Sequence, residues 1–355
     1  MGDIEIVKQQ VRKAGENIRN NIASPKDYEI ISNWRSIHIA IMTSMVNSIN
    51  KKLKKHKLKP LIMARRLKRL NSIEIKLKRF CDMKLDRMQD IAGVRVVFKT
   101  MEQVNEFKKI MDDTYLKGGR KFKLKKTSNY IEQPKSDGYR SIHQIFEYED
   151  GSKKCLELQI RTQLQHNWAT AVEVLGMKTK SKIKQGEGEE YYKEFFKLCS
   201  TLFSMIEKTN TLEEYSKLTK LEVCKKIQKL DNEFNILQTL SGLAILGKNI
   251  EKQTDRKNYY FIVELNITEE TLMIRGYKKN SFQKAQWEYD LLERKSKEEG
   301  DTDVVLVSLD EFKLLKKAYP NYYLDSGMFI GSIKKEISGM FIGSIKKEIN
   351  EIKEN

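Results

Sequence analysis

Four short motifs, rich in charged side chains and glycine, follow one another between residues 66 and 161 and constrain the fold more than any other feature. In chain order they are Arg66-x-Lys68-x-x-x-Ser72-x-x-x-Lys76, Asp90-Ile-Ala-Gly-Val-Arg95, Pro134-Lys-Ser-Asp-Gly-Tyr-Arg-Ser-Ile-His143 and Glu157-Leu-Gln-Ile-Arg161. Each motif alone is compatible with many folds. Their order and their combined chemistry indicate a site that handles polyphosphate.

The segments around these motifs alternate between strand and helix patterns. Apolar residues at three- and four-residue steps predict helices at 26–59, 102–111 and 162–174. β-Branched apolar runs predict strands at 91–98, 122–125, 142–148 and 156–161. This order predicts an α/β (α+β) domain with a mixed β-sheet flanked by helices.

The rest of the chain predicts two further parts. Helical patterns cover 191–208 and 212–246, after a polar linker at 178–190. A hairpin at 259–265 and 271–277, a helix at 282–297, a strand at 304–309 and a helix at 310–318 predict a small α+β module. We therefore expect a first domain at 1–180, a helical connector at 181–250 and a C-terminal module at 251–355. Residues 326–337 recur unchanged as 338–349, which indicates a recent duplication rather than a solenoid.

The composition indicates the kind of partner and the compartment. A formal net charge of +18 favours an anionic partner, although a solvated lysine-rich surface explains it equally well. The four cysteines are scattered, without the spacing of a zinc site or a disulfide framework. There is no signal-peptide pattern and no apolar run long enough to span a membrane, so we expect a soluble, cytoplasmic protein without a membrane partner.

The first motif groups basic side chains. Its spacing places Lys68, Ser72 and Lys76 on one face of a predicted helix, with Arg66 at the start of that helix. Like charges in a row repel one another unless an anion lies against them, and Arg can stack on a base or clamp phosphate oxygens. The alternative interpretation is an ordinary amphipathic basic helix.

Two acidic residues belong to adjacent predicted strands. Asp90 precedes one strand and Glu157 opens another, and two carboxylates at neighbouring strand ends can share a Mg²⁺ ion. Because side chains alternate along a strand, Glu157, Gln159 and Arg161 point to the same face. A single acid at a strand end more often has a capping or turn role, but this alignment favours a ligand site.

The third motif contains a predicted tight turn. Gly138 permits the turn, Tyr139 offers a surface on which a base can stack, and Lys135, Arg140 and His143 offer donors to phosphate or hydroxyl oxygens. These residues predict a loop that binds an acceptor nucleotide. A hairpin turn with Tyr139 packed in the core is the alternative.

Taken together, the motifs closely resemble the synthetase domain of the RelA/SpoT alarmone synthetases, over residues 27–180. The resemblance implies a nucleotidyltransferase-like fold that binds ATP and Mg²⁺ and moves the β,γ-pyrophosphate of ATP to a ribose 3′-hydroxyl. It also implies a role for each group of residues: Arg66 and Arg95 stack on adenine; Lys68, Ser72 and Lys76 contact the ATP phosphates; Asp90 and Glu157 are the metal and catalytic carboxylates; Lys135, Tyr139 and His143 bind the acceptor; Gln159 and Arg161 support it.

The remaining sequence bears on the subtype and the acceptor. No His-Asp dipeptide is present, so we expect a small, synthetase-only member without the hydrolase domain of long relatives. The basic balance and the C-terminal half favour the 3′-CCA end of tRNA as the acceptor, with translation as the blocked process. The alternative is a (p)ppGpp synthetase that uses GDP or GTP. A degenerate binding module is a third interpretation, which the two intact carboxylates argue against.

The C-terminal module, with Ala318-Tyr-Pro-Asn-Tyr-Tyr-Leu-Asp325, resembles the antitoxin-like domain of CapRel-type fused toxin–antitoxin proteins. The resemblance implies that the module restrains the synthetase until a phage protein relieves it, which is an anti-phage defence. We expect Tyr319 and Tyr322 to occupy the adenine side of the ATP site, beside Arg66 and Arg95. Local packing of these tyrosines at a helix end is the alternative.

Overall fold

Helices and strands alternate along the chain, largely as the apolar patterns predict. The computed structural model describes residues 8–116, 121–150, 153–178, 189–242, 250–255, 258–309 and 312–354. The α-helices are α1 (Lys8–Arg19), α2 (Pro25–Lys55), α3 (Leu70–Arg79), α4 (Met101–Tyr115), α5 (Gln163–Lys178), α6 (Glu190–Glu207), α7 (Lys220–Phe234), α8 (Ile236–Gly242), α9 (Phe282–Glu299), α10 (Leu315–Ala318) and α11 (Gly327–Glu354). The strands are β1 (Ile62–Leu67), β2 (Ala92–Phe98), β3 (Phe122–Asn129), β4 (Ile142–Tyr148), β5 (Cys155–Thr162), β6 (Ile250–Gln253), β7 (Tyr260–Asn266), β8 (Thr271–Tyr277) and β9 (Thr302–Ser308).

The strands in the described ranges form one sheet of nine, in the order β3-β4-β5-β2-β1-β9-β7-β8-β6. The β2–β5 and β6–β8 pairs are parallel and the other pairs are antiparallel. The predicted mixed sheet with flanking helices is therefore confirmed.

The strands of the C-terminal module continue the sheet of the first domain. Strand β9 pairs with β1, with Arg65 opposite Ser308 and Arg66 opposite Val307. The predicted hairpin of β7 and β8 is present and lies beyond β9. The boundaries at 180 and 250 stay predictions, and most of the predicted linker, at 179–188, lies outside the described residues.

Apolar layers cover both faces of the sheet. On one face, Val94, Val96 and Leu158 pack with α2 and α4. On the other face, helices α5 to α8 and α11 pack on the sheet from β2 to β8. The first copy of the repeat contributes Phe329, which is fully buried among three phenylalanines of α6, so this copy belongs to the core.

Local sequence explains where α2, the longest helix in the described part of the chain, begins. The Ser24 side chain caps α2, and the Ser24 amide donates a hydrogen bond to the Asp27 Oδ2 at 2.8 Å, which completes a capping box around Pro25. The prediction of one continuous helix over 212–246 was wrong. A 3₁₀ turn precedes α7, and Asn235, at φ 52°, separates α7 from α8. The helix predicted at 310–318 is a 3₁₀ turn followed by α10 in its described part.

Candidate active site

The candidate site lies on one face of β2 and β5, where these neighbouring strands run parallel. In the register of the pair, Gly93 lies opposite Glu157 and Arg95 lies opposite Gln159. Partners that lie opposite one another in a sheet share a face, so Arg95 joins Glu157 and Gln159 on the same surface. The Arg95 Nε donates a hydrogen bond to the Gln159 Oε1 at 3.3 Å.

Asp90 lies just before β2 and is held by two lysines. The Lys68 Nζ donates to its Oδ2 at 2.8 Å, and the Lys76 Nζ donates to its Oδ1 at 2.9 Å. Burial raises the pKa of Asp90, but the two ammonium groups outweigh burial and lower it below its ordinary value. The carboxylate is therefore ionised at neutral pH, with cations on both of its oxygens.

The first motif does not lie on one helical face, so that prediction was wrong. Arg66 lies in β1, where it pairs with both β2 and β9, and α3 begins only at Leu70. The Lys68 amide donates to the Ile91 carbonyl at 2.8 Å, which keeps the chain extended after β1. Only Ser72 and Lys76 share a face of α3. The strand and the helix nevertheless bring Lys68 and Lys76 together at Asp90.

Glu157 ends a chain of three hydrogen-bonded side chains. The Tyr139 hydroxyl lies 2.8 Å from the His143 Nε2, and the His143 Nδ1 lies 2.8 Å from the Glu157 Oε1. The other carboxylate oxygen accepts from the Gln159 Nε2 at 2.8 Å. Tyr139, His143, Glu157 and Gln159 thus form one connected polar group, which the sequence predicts only as separate contributions.

The pKa values within this group follow from its charges. Burial raises the pKa of Glu157, the hydrogen bond from His143 lowers it, nearby Asp90 raises it, and the net effect is a lowered value. Burial lowers the pKa of His143, but the charge of Tyr139 and the hydrogen bond to Glu157 raise it to about 9. An ionised Glu157 beside a protonated His143 is the expected state at neutral pH. Asp90 thus acts electrostatically on Glu157.

The third motif forms the predicted turn. Gly138 has φ +91°, and a Cβ at this position would lie 3.0 Å from the Ser200 Cβ, so glycine is required there. The ring of Tyr139 is half-buried, with the Lys135 Nζ 5.1 Å from its centroid. Arg140 was wrongly assigned to the ligand, because it is buried and its Nε donates to the Ser200 Oγ at 2.9 Å.

Three arginines, Arg66, Arg95 and Arg161, interact electrostatically with one another. Burial and the charge of Arg66 lower the pKa of Arg95, and burial and the charge of Arg95 lower the pKa of Arg161 to about 9. Such mutual repulsion is relieved when an anion with several charges binds among the guanidinium groups. The arrangement suits a polyphosphate.

His166 is a residue of the site that the sequence prediction missed. It lies on α5, where its Nδ1 is 2.5 Å from the Arg161 Nη2 and its Nε2 is 3.1 Å from the Lys317 carbonyl oxygen. Burial and the charge of Arg161 lower its pKa well below the ordinary value, so the ring is neutral. A neutral ring that donates to Lys317 accepts from Arg161. No motif marks His166 in the sequence.

The two tyrosines of the C-terminal module lie near the arginines but in different positions. Tyr319 is buried, its hydroxyl donates to the Arg65 carbonyl at 3.2 Å, and burial raises its pKa while Arg66 and Arg95 lower it. The Tyr322 hydroxyl instead accepts from the Arg69 Nη1 at 3.0 Å. Tyr319 is thus the tyrosine whose electrostatic neighbours include both predicted adenine-stacking arginines.

The potential metal ligands are two carboxylates. Among the residues that the structure describes, no group of three or more His, Cys, Asp and Glu side chains is arranged to hold a metal ion. Asp90 and Glu157 therefore offer oxygen ligands that need phosphate oxygens or water to complete a Mg²⁺ shell.

None of the helices in the described part of the chain has both the length and the apolar character needed to cross a bilayer.

Comparison with known proteins identifies the class of this site. Residues 65–187 match the family described as the region found in RelA / SpoT proteins, and this span contains every residue assigned above to the ATP, metal and acceptor sites. Residues 65–187 are therefore similar to the region found in RelA / SpoT proteins, which confirms the predicted resemblance over this span.

Two curated relatives share parts of this region. The chain is 28% identical over 153 residues to the probable GTP diphosphokinase RSH3, chloroplastic, of Oryza sativa subsp. japonica. The matched segment is 42% of this chain and 20% of that protein. It is 31% identical over 106 residues to the GTP pyrophosphokinase YjbM of Bacillus subtilis (strain 168). The matched segment is 28% of this chain and 48% of that protein. The chain thus spans less than half the length of either relative.

Solved structures of similar proteins overlap about half of the chain. The small alarmone synthetase 1 from Bacillus subtilis, bound to its product pppGpp, is 21% identical, with a TM-score of 0.42, and covers 52% of this chain and 94% of that chain. A GTP pyrophosphokinase family protein from Streptococcus pneumoniae is 24% identical, with a TM-score of 0.40, and covers 49% of this chain and 89% of that chain.

Proposed function

We propose that this protein is an ATP-dependent pyrophosphotransferase that uses GDP or GTP as the acceptor and makes (p)ppGpp. The observation that carries the proposal is a pair of differently supported carboxylates, one just before β2 and the other in the neighbouring strand β5. Asp90 is neutralised by Lys68 and Lys76, whereas Glu157 is hydrogen-bonded to His143 and Gln159. The names of the curated relatives, a GTP diphosphokinase and a GTP pyrophosphokinase, favour a guanosine nucleotide over tRNA.

The acceptor is proposed to bind along the polar group that ends at Glu157. Its base stacks on the exposed part of Tyr139, and Lys135 lies beside that ring to meet the 5′-phosphates. This position brings the ribose 3′-hydroxyl towards Glu157, which is ionised and can accept the hydroxyl proton. His143 fixes the carboxylate through a hydrogen bond of 2.8 Å.

The proposed reaction is an in-line displacement at the β-phosphorus of ATP. The acceptor 3′-oxygen forms a bond to this phosphorus, and the bond from the phosphorus to the α,β-bridging oxygen breaks. The bridging oxygen leaves with AMP, and the hydroxyl proton passes to Glu157. Phosphoryl chemistry of this kind depends mainly on positioning and on charge stabilisation, which the cluster of cations supplies.

The cations define the proposed ATP side. Arg66 and Arg95 would stack on adenine, and Lys68, Ser72 and Lys76 would face the phosphates. Asp90 and Glu157 would hold Mg²⁺, which supplies charge neutralisation for the phosphate oxygens and the leaving group. The fit to Mg²⁺ rests on the two sets of carboxylate oxygens and on the repulsion that Asp90 exerts on Glu157, which a divalent cation would relieve.

We further propose that the C-terminal module inhibits the site. Tyr319 is only 3% exposed and lies in the electrostatic field of Arg66 and Arg95, where adenine is proposed to stack. Bound ATP and a buried Tyr319 would compete for these guanidinium groups. A partner that displaces the module, such as a phage protein, would then switch the enzyme on.

A second candidate acceptor is the 3′-CCA end of tRNA. The net charge of +18 favours it, since nucleic acids are held largely by phosphate contacts with Lys and Arg. With this acceptor, the chain would act as a translation-blocking toxin in a toxin–antitoxin system. The chemistry at Asp90 and Glu157 is the same for both acceptors.

The test compares acceptors in one reaction. The full-length protein and its Tyr319→Ala variant are incubated with γ-labelled ATP, Mg²⁺, GDP, GTP and deacylated tRNA, with Glu157→Gln as the inactive control. Deleting the module is a poorer test, because the deletion removes β9 from the edge of β1. We expect label on the guanosine nucleotides. Label on tRNA would support the second candidate, and the absence of both products from the two active proteins would refute the proposal.

A further inference from the structure

Tyr130 lies beside all three side chains that are proposed to bind the acceptor, although none of the four motifs includes it. The centroid of its half-buried ring is 5.2 Å from that of His143 and 6.2 Å from that of Tyr139. The Lys135 Nζ lies over the same ring, 4.6 Å from its centroid. No step of the proposed reaction uses Tyr130. Its contacts nevertheless allow it to act on the acceptor through these neighbours.

The backbone around Tyr130 is held at a fixed place in the fold. The residue follows β3 directly, and its amide donates to the Ser141 carbonyl at 3.0 Å. The Asn129 Oδ1 accepts from the Ile131 amide at 3.1 Å, and the Ile131 side chain is buried in the same core as the apolar residues of α2. The ring of Tyr130 therefore projects from a rigid part of the sheet edge.

Lys135 is exposed, yet its ammonium group is restrained. Besides Tyr130, the ring of Tyr139 contacts this group, with the Nζ 5.1 Å from the ring centroid. In the described part of the chain, no carboxylate forms an ion pair with Lys135. An exposed lysine usually samples many rotamers, but attraction to two aromatic rings restricts this one. The N–H groups that point away from the rings stay available to an anion.

The turn of the third motif anchors the same lysine through its backbone. The Gly138 amide donates to the Lys135 carbonyl at 2.8 Å, and the Lys135 amide donates to the Tyr139 carbonyl at 3.3 Å. The backbone and the ammonium group of Lys135 are thus both held before a ligand arrives. A side chain that is already ordered loses less conformational freedom when a phosphate binds, so the phosphate binds more tightly.

We propose that Tyr130 is a positioning residue of the acceptor site, which holds the Lys135 ammonium group ready for the 5′-polyphosphate of a nucleotide. The phosphate oxygens accept from the N–H groups that point away from the two rings. Tyr130 thereby favours acceptors with several phosphate charges over a neutral nucleoside. The inference rests on the acceptor site of the proposed function, but it concerns binding and needs no turnover.

The test compares the binding of GDP and of guanosine to the full-length protein by isothermal titration calorimetry. Tyr130→Leu removes the aromatic ring, and we expect it to weaken GDP binding about threefold and to leave guanosine binding unchanged. Tyr130→Phe keeps the ring and should bind GDP as the wild type does. The matched control is Tyr148→Leu, because Tyr148 is also half-buried but packs on Phe122, at the opposite end of the β3–β4 pair.

A double variant tests whether Tyr130 acts through Lys135. Lys135→Met removes the ammonium group and keeps an unbranched side chain, so it should weaken GDP binding on its own. If Tyr130 acts by positioning this group, Tyr130→Leu combined with Lys135→Met should bind GDP no more weakly than Lys135→Met alone. Equal weakening of GDP and guanosine by Tyr130→Leu, unchanged GDP binding, or an additive loss in the double variant would overturn the inference.

Two further results complete the test. GDP binding with the expected pattern, but without pyrophosphate transfer, would refute the proposed activity and leave this inference standing, whereas absence of GDP binding to the wild type would overturn both. If Tyr130→Leu does not fold, as judged by its thermal melt, the wild type decides by NMR. The ring currents of the two tyrosines should shift the ε-methylene signal of Lys135 upfield, and GDP should move this signal. An unshifted signal, or one that does not respond to GDP, would overturn the inference.

Discussion

The contact between α2 and α9 allows a quantitative test of how the C-terminal module is held in place. Glu293 of α9 lies 2.8 Å from the Arg35 Nη1 and accepts from the Leu70 amide at 2.7 Å and from the Tyr289 hydroxyl at 2.5 Å. Arg35 is only 3% exposed and Glu293 only 8%. One carboxylate therefore links α9 to α2 and to the first turn of α3, the helix that carries Lys76.

Replacing Glu293 by Gln keeps its size and removes its charge. Breaking a buried ion pair usually costs about 3–5 kcal/mol, because the remaining charge stays buried. Asp290 lies 3.9 Å from the same Arg35 nitrogen and still offsets part of its charge, so the lower end of this range applies. We expect Glu293→Gln to reduce the free energy of unfolding by about 3 kcal/mol.

The matched control is Glu288→Gln on the same helix. Glu288 pairs at 3.4 Å with Arg275, and both side chains are partly exposed, so its loss should cost no more than about 1 kcal/mol. Both variants are measured by urea denaturation, followed by far-ultraviolet circular dichroism and by tryptophan fluorescence, whose transitions should coincide. A loss below about 1 kcal/mol for Glu293→Gln, or a loss equal to that of the control, would refute the reasoning.

Three further predictions concern the site itself. The pKa of His143 is raised from 6.5 to about 9. Its contribution to the free energy of unfolding is therefore complete below pH 6.5 and is lost as the pH rises to 9. Urea titrations should show that the difference in this free energy between wild type and His143→Gln shrinks over this window. His166→Ala should lower the rate of pyrophosphate transfer about tenfold. His166→Asn should restore most of this rate, because its side-chain oxygen can still accept a hydrogen bond from Arg161. An equal loss of rate in both variants would exclude a role of His166 in positioning Arg161. Tyr319→Ala should increase turnover by the full-length protein. Tyr319→Phe loses only one hydrogen bond, worth about 1 kcal/mol, and should change turnover little. If turnover does not increase in the Ala variant, the proposed autoinhibition is contradicted.

The strands of the site could be predicted because their patterns are local. Strands β2, β4 and β5 are rich in β-branched and other apolar residues, and the alternation of side chains correctly placed Glu157 and Gln159 on one face. Strand β1 could not be found in this way. Arg65 and Arg66 interrupt its apolar pattern, and its extended form depends on pairing with β2 and with the distant β9.

The parts of the site that could not be predicted, namely the arrangement of the lysines and the role of His166, depend on tertiary contacts. Lys68 and Lys76 match a helical spacing, yet they meet at Asp90 because a strand and a helix converge there. His166 depends on the packing of α5 between Arg161 and the Lys317 carbonyl, which no local pattern encodes. Sequence can indicate which side chains have suitable chemistry, but their partners depend on contacts far apart along the chain.

The pairing of β1 with β9 also determines the order in which the protein can be completed during synthesis. Arg65 and Ser308, which are hydrogen-bonded across this pair, are 243 positions apart. A ribosome must therefore translate nearly the whole chain before β1 gains its second neighbour. Until then, β1 of the nascent protein has an open edge, and this strand carries Arg66. The segment that emerges last supplies β9, which closes this edge, and Tyr319, which then reaches the site.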